Sequence, residues 1–164
     1  MAESAGRTRP LVIGIGTEER SDDGIGLDVA RSLRDRPSLG ADVVEGPGDL
    51  LRLLEEWDGR RYVVLVDGMR SGAPPGTVQR WDQTQLGEFP ATPAVSTHGF
   101  GLGDVLRMAH DLGRLPPTLV IFGIEVKITA PGRQRSAACR AAIDRVGDWI
   151  AWELAERAGA GADA

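Results

Sequence analysis

One cysteine in 164 residues leaves Cys139 without an internal disulfide partner, so the chain must be held by its core and not by cross-links. Lysine is equally scarce: Lys127 is the only one among 19 basic residues. Aromatic residues amount to 5%, and no stretch approaches the roughly 20 apolar residues of a membrane span. There is no excess of positive charge either. A net charge of −5 works against a general nucleic-acid binder, which needs a basic face to neutralise phosphates. Histidine is limited to His98 and His110. The first nine residues, MAESAGRTR, contain no apolar h-region, so no secretory signal is read and a reducing, cytoplasmic setting is expected. Also missing are a His-Glu-x-x-His pair, a Gly-x-Ser-x-Gly elbow, and a third glycine after Gly14-x-Gly16 to complete a dinucleotide fingerprint.

What is present is ordinary for a water-soluble domain: 41% apolar and 26% charged residues, enough chain for one core. We expect tails at 1–9 and 158–164 flanking a single domain over 10–157. Arg34, Arg36, Arg52, Arg60, Arg61 and Arg70 are scattered and read as a solvated surface.

The organising stretch is Leu11 to Leu33. An apolar run, Leu11 to Ile15, passes through Gly16 into a polar loop, and a helix starts near Gly24 with Ile25, Val29 and Leu33 on one face. A short strand over Ala41 to Val44 then leads into Glu45-Gly46-Pro47-Gly48. Leu50, Leu53, Leu54 and Trp57 recur at helical spacing, and Gly59 closes that helix. Tyr62 to Val66 reads as a central strand covered on both faces that delivers Asp67 at its carboxyl end. Beyond Pro74-Pro75-Gly76, Thr77 to Trp81 is expected as a short antiparallel strand, and Asp82 to Pro93 is left unassigned. Ser96 or Thr97 is expected to cap a helix with Leu102, Val105, Leu106, Ala109 and Leu112 inward, placing His98 in its first turn. Thr118 to Ile124 is the last strand. A helix over Arg133 to Arg157, with Cys139, Ala142, Ile143, Val146, Trp149 and Ile150 inward, closes the fold.

In an open α/β sheet the ligand site lies at the carboxyl ends of the strands, so Asp23, Asp67 and His98 can converge from three loops. Two carboxylates and an imidazole suit a borderline divalent ion such as zinc, nickel or manganese. Each residue has a plainer reading. Asp22 reads as the side-chain cap of the first helix, Asp67 as a carboxylate satisfying free amides after a strand, and His98 as a hydrogen-bonded histidine at a helix start. His110 reads as surface, Cys139 as buried filler, and Trp149 and Trp152 as packing. Glu18, Glu19 and Arg20 read as a solvated loop tip, with substrate contact the lesser option.

In order along the chain stand Gly14-x-Gly16, Ser21-Asp22-Asp23-Gly24-Ile25-Gly26, Val64-Leu65-Val66-Asp67, Pro75-Gly76-Thr77-Val78, Ser96-Thr97-His98, Gly101-Leu102-Gly103-Asp104-Val105-Leu106 and Phe122-Gly123-Ile124-Glu125. In that order they resemble the hydrogenase maturation endopeptidases, which trim the C-terminal extension from the nickel-loaded large subunit of nickel-iron hydrogenases. The resemblance implies a phosphorylase/hydrolase-like three-layer α/β/α sandwich with a five-stranded mixed, mostly parallel sheet. It also implies that Asp23, Asp67 and His98 contact metal and serve catalysis. Nickel, carried by the precursor, would be the recognition element, with zinc or cadmium able to take the same site. A metal-bound or carboxylate-activated water would then attack the scissile carbonyl. The expected partner is the large-subunit precursor, with no nucleic acid and no membrane. This chain departs from the family pattern at Gly16-Thr17, at Glu45-Gly46-Pro47-Gly48 and at Glu125-Val126, all bordering the site.

Two other functions compete. A noncatalytic chaperone of the same fold would bind precursor or metal without cutting. A phospho-receiver would use Asp22, Asp23, Asp67, Thr97 and Lys127, although its acidic pair belongs at the end of strand one and a helix should follow strand three.

Overall fold

The computed structural model describes residues 7–89, 101–127 and 129–162. Its strands are β1 (Leu11–Gly14), β2 (Asp42–Glu45), β3 (Tyr62–Met69), β4 (Val78–Asp82) and β5 (Thr118–Glu125). Its helices are α1 (Ile25–Arg34), α2 (Leu53–Glu56), α3 (Leu102–Asp111) and α4 (Ala137–Ala162). One five-stranded sheet runs β2-β1-β3-β5-β4, parallel except for β4, which lies antiparallel to β5 at the edge. This is the mixed, mostly parallel sheet of an α/β/α sandwich. It also removes the receiver alternative, because β3 leads into an antiparallel edge strand where a receiver continues into a helix.

Strand alternation divides the core in two. Val12, Tyr62, Val64, Val66, Val120 and Phe122 meet α1 and α4 through Ile25, Val29, Leu33, Cys139, Val146 and Ile150. Leu11, Ile13, Val63, Leu65, Leu119 and Ile121 meet α2 and α3 through Leu53, Leu54, Trp57, Val105 and Leu106. β3 and β5, apolar on both faces, carry the centre of the sheet, as their unbroken runs require. Trp57 is buried and its indole N–H donates to the Arg114 carbonyl at 3.0 Å.

Several expectations are corrected. β3 does not end at Val66 but continues through Asp67 to Met69, paired with Gly123 to Glu125 of β5. α3 begins at Leu102 with Gly101 as N-cap, whose N–H donates to Asp104 at 3.0 Å, so the cap is neither Ser96 nor Thr97. Leu112, expected inward, is 59% exposed because α3 stops at Asp111. The unassigned stretch after Trp81 contains a 3₁₀ helix, Gln83–Glu88, with a capping box between Asp82 and Gln85. α4 starts at Ala137 and runs to Ala162, so the expected tail is helical through 162. Trp149 sets its ring edge-on to Phe122 at 5.2 Å, whereas Trp152 is 60% exposed and does not pack. Among the described residues no helix is long and apolar enough to cross a membrane.

Two glycines set how closely α1 approaches the sheet. A Cβ on Gly26 would stand 2.1 Å from the Ile15 carbonyl oxygen and 2.3 Å from that of Val66, and one on Gly14 would stand 2.1 Å from the Gly26 carbonyl oxygen. The first turn of α1 therefore rests directly on the carboxyl ends of β1 and β3. Gly26→Ala should destabilise by about 2–3 kcal/mol or more, since backbone atoms must move apart. Gly48→Ala, with open space around it, should stay within about 0.5 kcal/mol of the parent. Urea denaturation of both variants checks the pair.

Candidate active site

β1 stops at Gly14, opposite Val66, while β3 runs on for three residues, leaving a step at the carboxyl rim of the sheet. A 3₁₀ turn, Ser21–Gly24, occupies that step and carries Asp23, and Asp67 lies on the protruding end of β3. The loop between them is tightly bound. Asp23 donates its N–H to the Arg20 carbonyl at 3.1 Å and accepts from the Thr17 N–H at 3.3 Å through its own carbonyl. Gly16, at φ +154°, has no room for a side chain: a Cβ would stand 2.2 Å from the Asp23 carbonyl oxygen. Next to Asp67, Gly123 leaves space for Met69 and Trp81, whose atoms would lie 2.4 and 2.8 Å from a Cβ.

Asp22 does not cap α1, as the sequence reading expected. It is fully buried and points the other way, accepting from the N–H of Ser136 at 2.6 Å, the hydroxyl of Ser136 at 2.9 Å and the N–H of Lys127 at 2.9 Å. Its carboxylate thus joins the acidic turn to the residue before α4 and to the end of β5. Ser21, at φ +48°, holds a backbone conformation unusual for a residue with a side chain. It is kept there by Ser21 N–H to Gly132 carbonyl at 2.7 Å and Ser21 hydroxyl to Ala130 carbonyl at 3.0 Å. Arg135, only 9% exposed, pairs with Asp28 of α1 at 2.6 Å and donates to the Ser21 carbonyl at 2.5 Å. The short polar segment before α4 is therefore the back wall of the acidic turn.

The electrostatics single out the two aspartates. Burial pushes the Asp67 carboxyl up to about 8, Asp23 pushes it the same way, and the Gly68 N–H opposes both. Burial raises Asp23 as well, against the pull of Arg20, Arg70 and Arg135. These are two carboxyls near enough to repel, in a setting poor in water, and a cation or a shared proton would relieve both. As oxygen donors they suit a divalent ion, and one protonated beside one ionised suits general acid and base work.

Ser96, Thr97 and His98 lie outside the described residues. Among the described residues no group of three or more His, Cys, Asp or Glu side chains is arranged to hold a metal. Glu45 and Glu18 are not free at the rim: Arg31 holds Glu45 at 2.9 Å and Glu18 at 3.1 Å, and both carboxyls are lowered by it. Glu125 is buried, accepting from the N–H groups of Ser71 and Gly72 and from the Ser71 hydroxyl at 2.8 Å, so it secures the β3–β4 connection. Cys139 is buried with its thiol pushed up by burial, unlike a nucleophile, and His110 is exposed. Arg135, Ser136 and the clasp of Glu125 escaped the sequence reading. The nearest signal was Ser136 just before an apolar helical pattern, which marks a cap but not the carboxylate that uses it.

A family model described as hydrogenase maturation protease matches residues 28–152. The chain is similar to the hydrogenase expression/formation protein HupD of Thiocapsa roseopersicina, 27% identical over 117 residues covering 70% of this chain and 53% of that protein. It is also similar to the hydrogenase 2 maturation protease of Escherichia coli, 29% identical over 121 residues, 71% of this chain and 72% of that protein. The chain thus spans about half the length of the HupD relative it matches. Among solved structures, the hydrogenase maturating endopeptidase HybD from E. coli shares the fold with a TM-score of 0.77 at 24% identity, covering 92% of this chain and 94% of that one. The NiFe hydrogenase maturation protease HycI from Thermococcus kodakarensis KOD1 gives 0.65 at 26% identity, with 92% and 94% covered. The family match includes Asp67 and His98 and begins after the acidic turn.

The raised carboxyl of Asp67 has a consequence for stability. Unfolded, it titrates near 4. Folded, it titrates near 8, so the native state binds the extra proton and stability falls as pH rises between those values. The metal-free Asp67→Asn variant should therefore outmelt the parent at pH 8 by at least about 1 kcal/mol, allowing for the partial exposure of Asp67. The gap should close toward pH 4. Thermal melts of both proteins across that range check it, and a gap independent of pH would contradict it.

Proposed function

The chain belongs to the hydrogenase maturation protease family, and on that premise we propose that it is an endopeptidase acting in the cytoplasm to remove the C-terminal extension of a nickel-iron hydrogenase large-subunit precursor. The observation that carries this reading is the meeting of Asp23 and Asp67 at the carboxyl rim, from segments more than forty residues apart in sequence, each with its carboxyl pushed upward. Nickel held by the precursor is the recognition element: Asp23 and Asp67 offer oxygen donors to it, and His98 supplies the imidazole. Zinc or cadmium, having similar preferences, would compete for the same donors.

Gripping a metal already seated in the precursor fixes the adjacent peptide against the rim and turns cleavage into a reaction within one complex. Once the carboxylates engage the metal, their mutual repulsion is relieved and Asp67 gives up its proton. A carboxylate of the pair can then take a proton from water as that water adds to the scissile carbonyl, and return it to the leaving amine. The walls supply orientation: Asp22 and Arg135 immobilise the turn carrying Asp23, and the pairing of β3 with β5 immobilises Asp67.

Purified protein incubated with nickel-loaded precursor should shorten the large subunit by the mass of its extension, and metal-free precursor should remain intact. Asp23→Asn, Asp67→Asn and His98→Ala should each slow trimming by roughly 10²-fold or more. Equal trimming with and without nickel would remove metal recognition from the account. A stable complex with uncut, nickel-loaded precursor would turn the reading toward a chaperone.

A further inference from the structure

Acidic residues outnumber basic ones here by 24 to 19, so an arginine without a carboxylate partner is not the result of a shortage. Most of the arginines are engaged: Arg31 with Glu18 and Glu45, Arg60 with Asp42, Arg80 with Glu153, Arg135 with Asp28. Among the described residues four basic side chains, all exposed, make no hydrogen bond or ion pair: Arg20, Arg61, Arg70 and Lys127. Arg61 is at the far end of the sheet, just before β3. The other three stand at the carboxyl rim. Arg20 precedes Asp23 by three residues, Arg70 follows Asp67 by three, and Lys127 has its N–H on Asp22.

The two arginines are mounted on fixed backbone. Arg20 forms a β-bridge with Gly132, and Ser71, next after Arg70, is held by Glu125 through its N–H at 2.9 Å and its hydroxyl at 2.8 Å. The Arg20 carbonyl accepts the Asp23 N–H at 3.1 Å, and Arg70 directly follows β3, which packs against the turn carrying Asp23, so both are anchored beside that turn. A guanidinium fork carried on fixed backbone and free of internal partners is matched by the planar carboxylate, which it can bind through two parallel hydrogen bonds. The aspartate pair would repel an anionic peptide, and cations beside it reverse that field at the entrance.

We propose that Arg20 and Arg70 form a carboxylate subsite that takes an anionic group of the precursor's C-terminal extension, either an acidic side chain or the terminal α-carboxylate, and holds the extension beside the aspartates. The proposal rests on the maturation-protease reading. In it Arg20 and Arg70 are positioning residues that set how the extension lies and take no part in proton transfer.

The test uses the full chain and a fluorescent synthetic peptide with the sequence of the cognate extension, followed by anisotropy. The Arg20→Gln/Arg70→Gln double variant should bind this peptide roughly 10-fold more weakly than the parent. Arg61→Gln should bind like the parent. Binding by the parent should weaken with salt and that of the double variant should not. Amidating the peptide C-terminus and, separately, replacing its Asp and Glu by Asn and Gln identify which carboxylate is used; one change should reproduce the loss in the parent and add nothing in the double variant. With nickel-loaded precursor the double variant should raise KM by a similar factor while kcat stays near that of the parent. Parent-like peptide binding by the double variant, no binding by the parent, or indifference to both peptide changes would each overturn the subsite. A lowered kcat at unchanged KM would also overturn it, assigning the arginines to tuning Asp23. Failure of the parent to trim any precursor while peptide binding behaves as stated would strike the protease reading alone.

Discussion

The buried carboxylate of Asp22 is the interaction on which the rim depends. It is removed from water and accepts hydrogen bonds from Lys127 and Ser136, so it closes three segments on one point: the turn after β1, the end of β5 and the start of α4. A buried carboxylate with its acceptors filled is stable, and one deprived of its donors is costly, so the three segments are held to a single arrangement. The unusual φ of Ser21 and the buried Arg135 belong to the same clasp. Asp23 is the neighbour of this fixed residue and inherits its position.

Rigidity of that kind is what a pair of repelling carboxyls needs. Asp23 raises the proton affinity of Asp67, and a flexible loop would simply let the two separate. Here Asp67 is held inside a strand by pairing with β5, and Asp23 is held by Asp22 and by the Gly16 approach. The repulsion between the two carboxyls is therefore retained in the folded protein. The same logic explains why Glu18, Glu45 and Glu125, though close to the rim in sequence, are poor candidates: each already has its charge satisfied by Arg31 or by backbone amides.

Much of the fold was legible because hydrophobic period reports burial directly. The central runs Tyr62 to Val66 and Thr118 to Ile124 and the face of α1 follow from it, and the strand expected over Thr77 to Trp81 after the Pro74-Pro75-Gly76 turn is β4, Val78–Asp82. The errors came where ends are set by partners and not by pattern. Leu112 fits the helical spacing but lies one residue past the last turn of α3, and β3 gains Asp67 to Met69 because β5 is there to pair with them. The sequence pattern around Asp22 is that of a local cap, the commoner use of such a residue, whereas its donors Lys127 and Ser136 are more than a hundred residues away.

By itself the sequence determined the alternation of strands and helices, the order of the sheet-forming runs and the identity of the acidic residues that follow β1 and lie in β3. These depend on periodicity and on residue type, which are properties of neighbours along the chain. Only the tertiary structure decided that Asp23 and Asp67 sense one another, that Asp22 faces α4, that Arg31 neutralises Glu18 and Glu45, and that Arg20 and Arg70 remain unpaired. Charge and hydrogen-bond partnership act through space over a few ångströms, and separation along the chain carries no information about that distance until the sheet and its covering helices have set it.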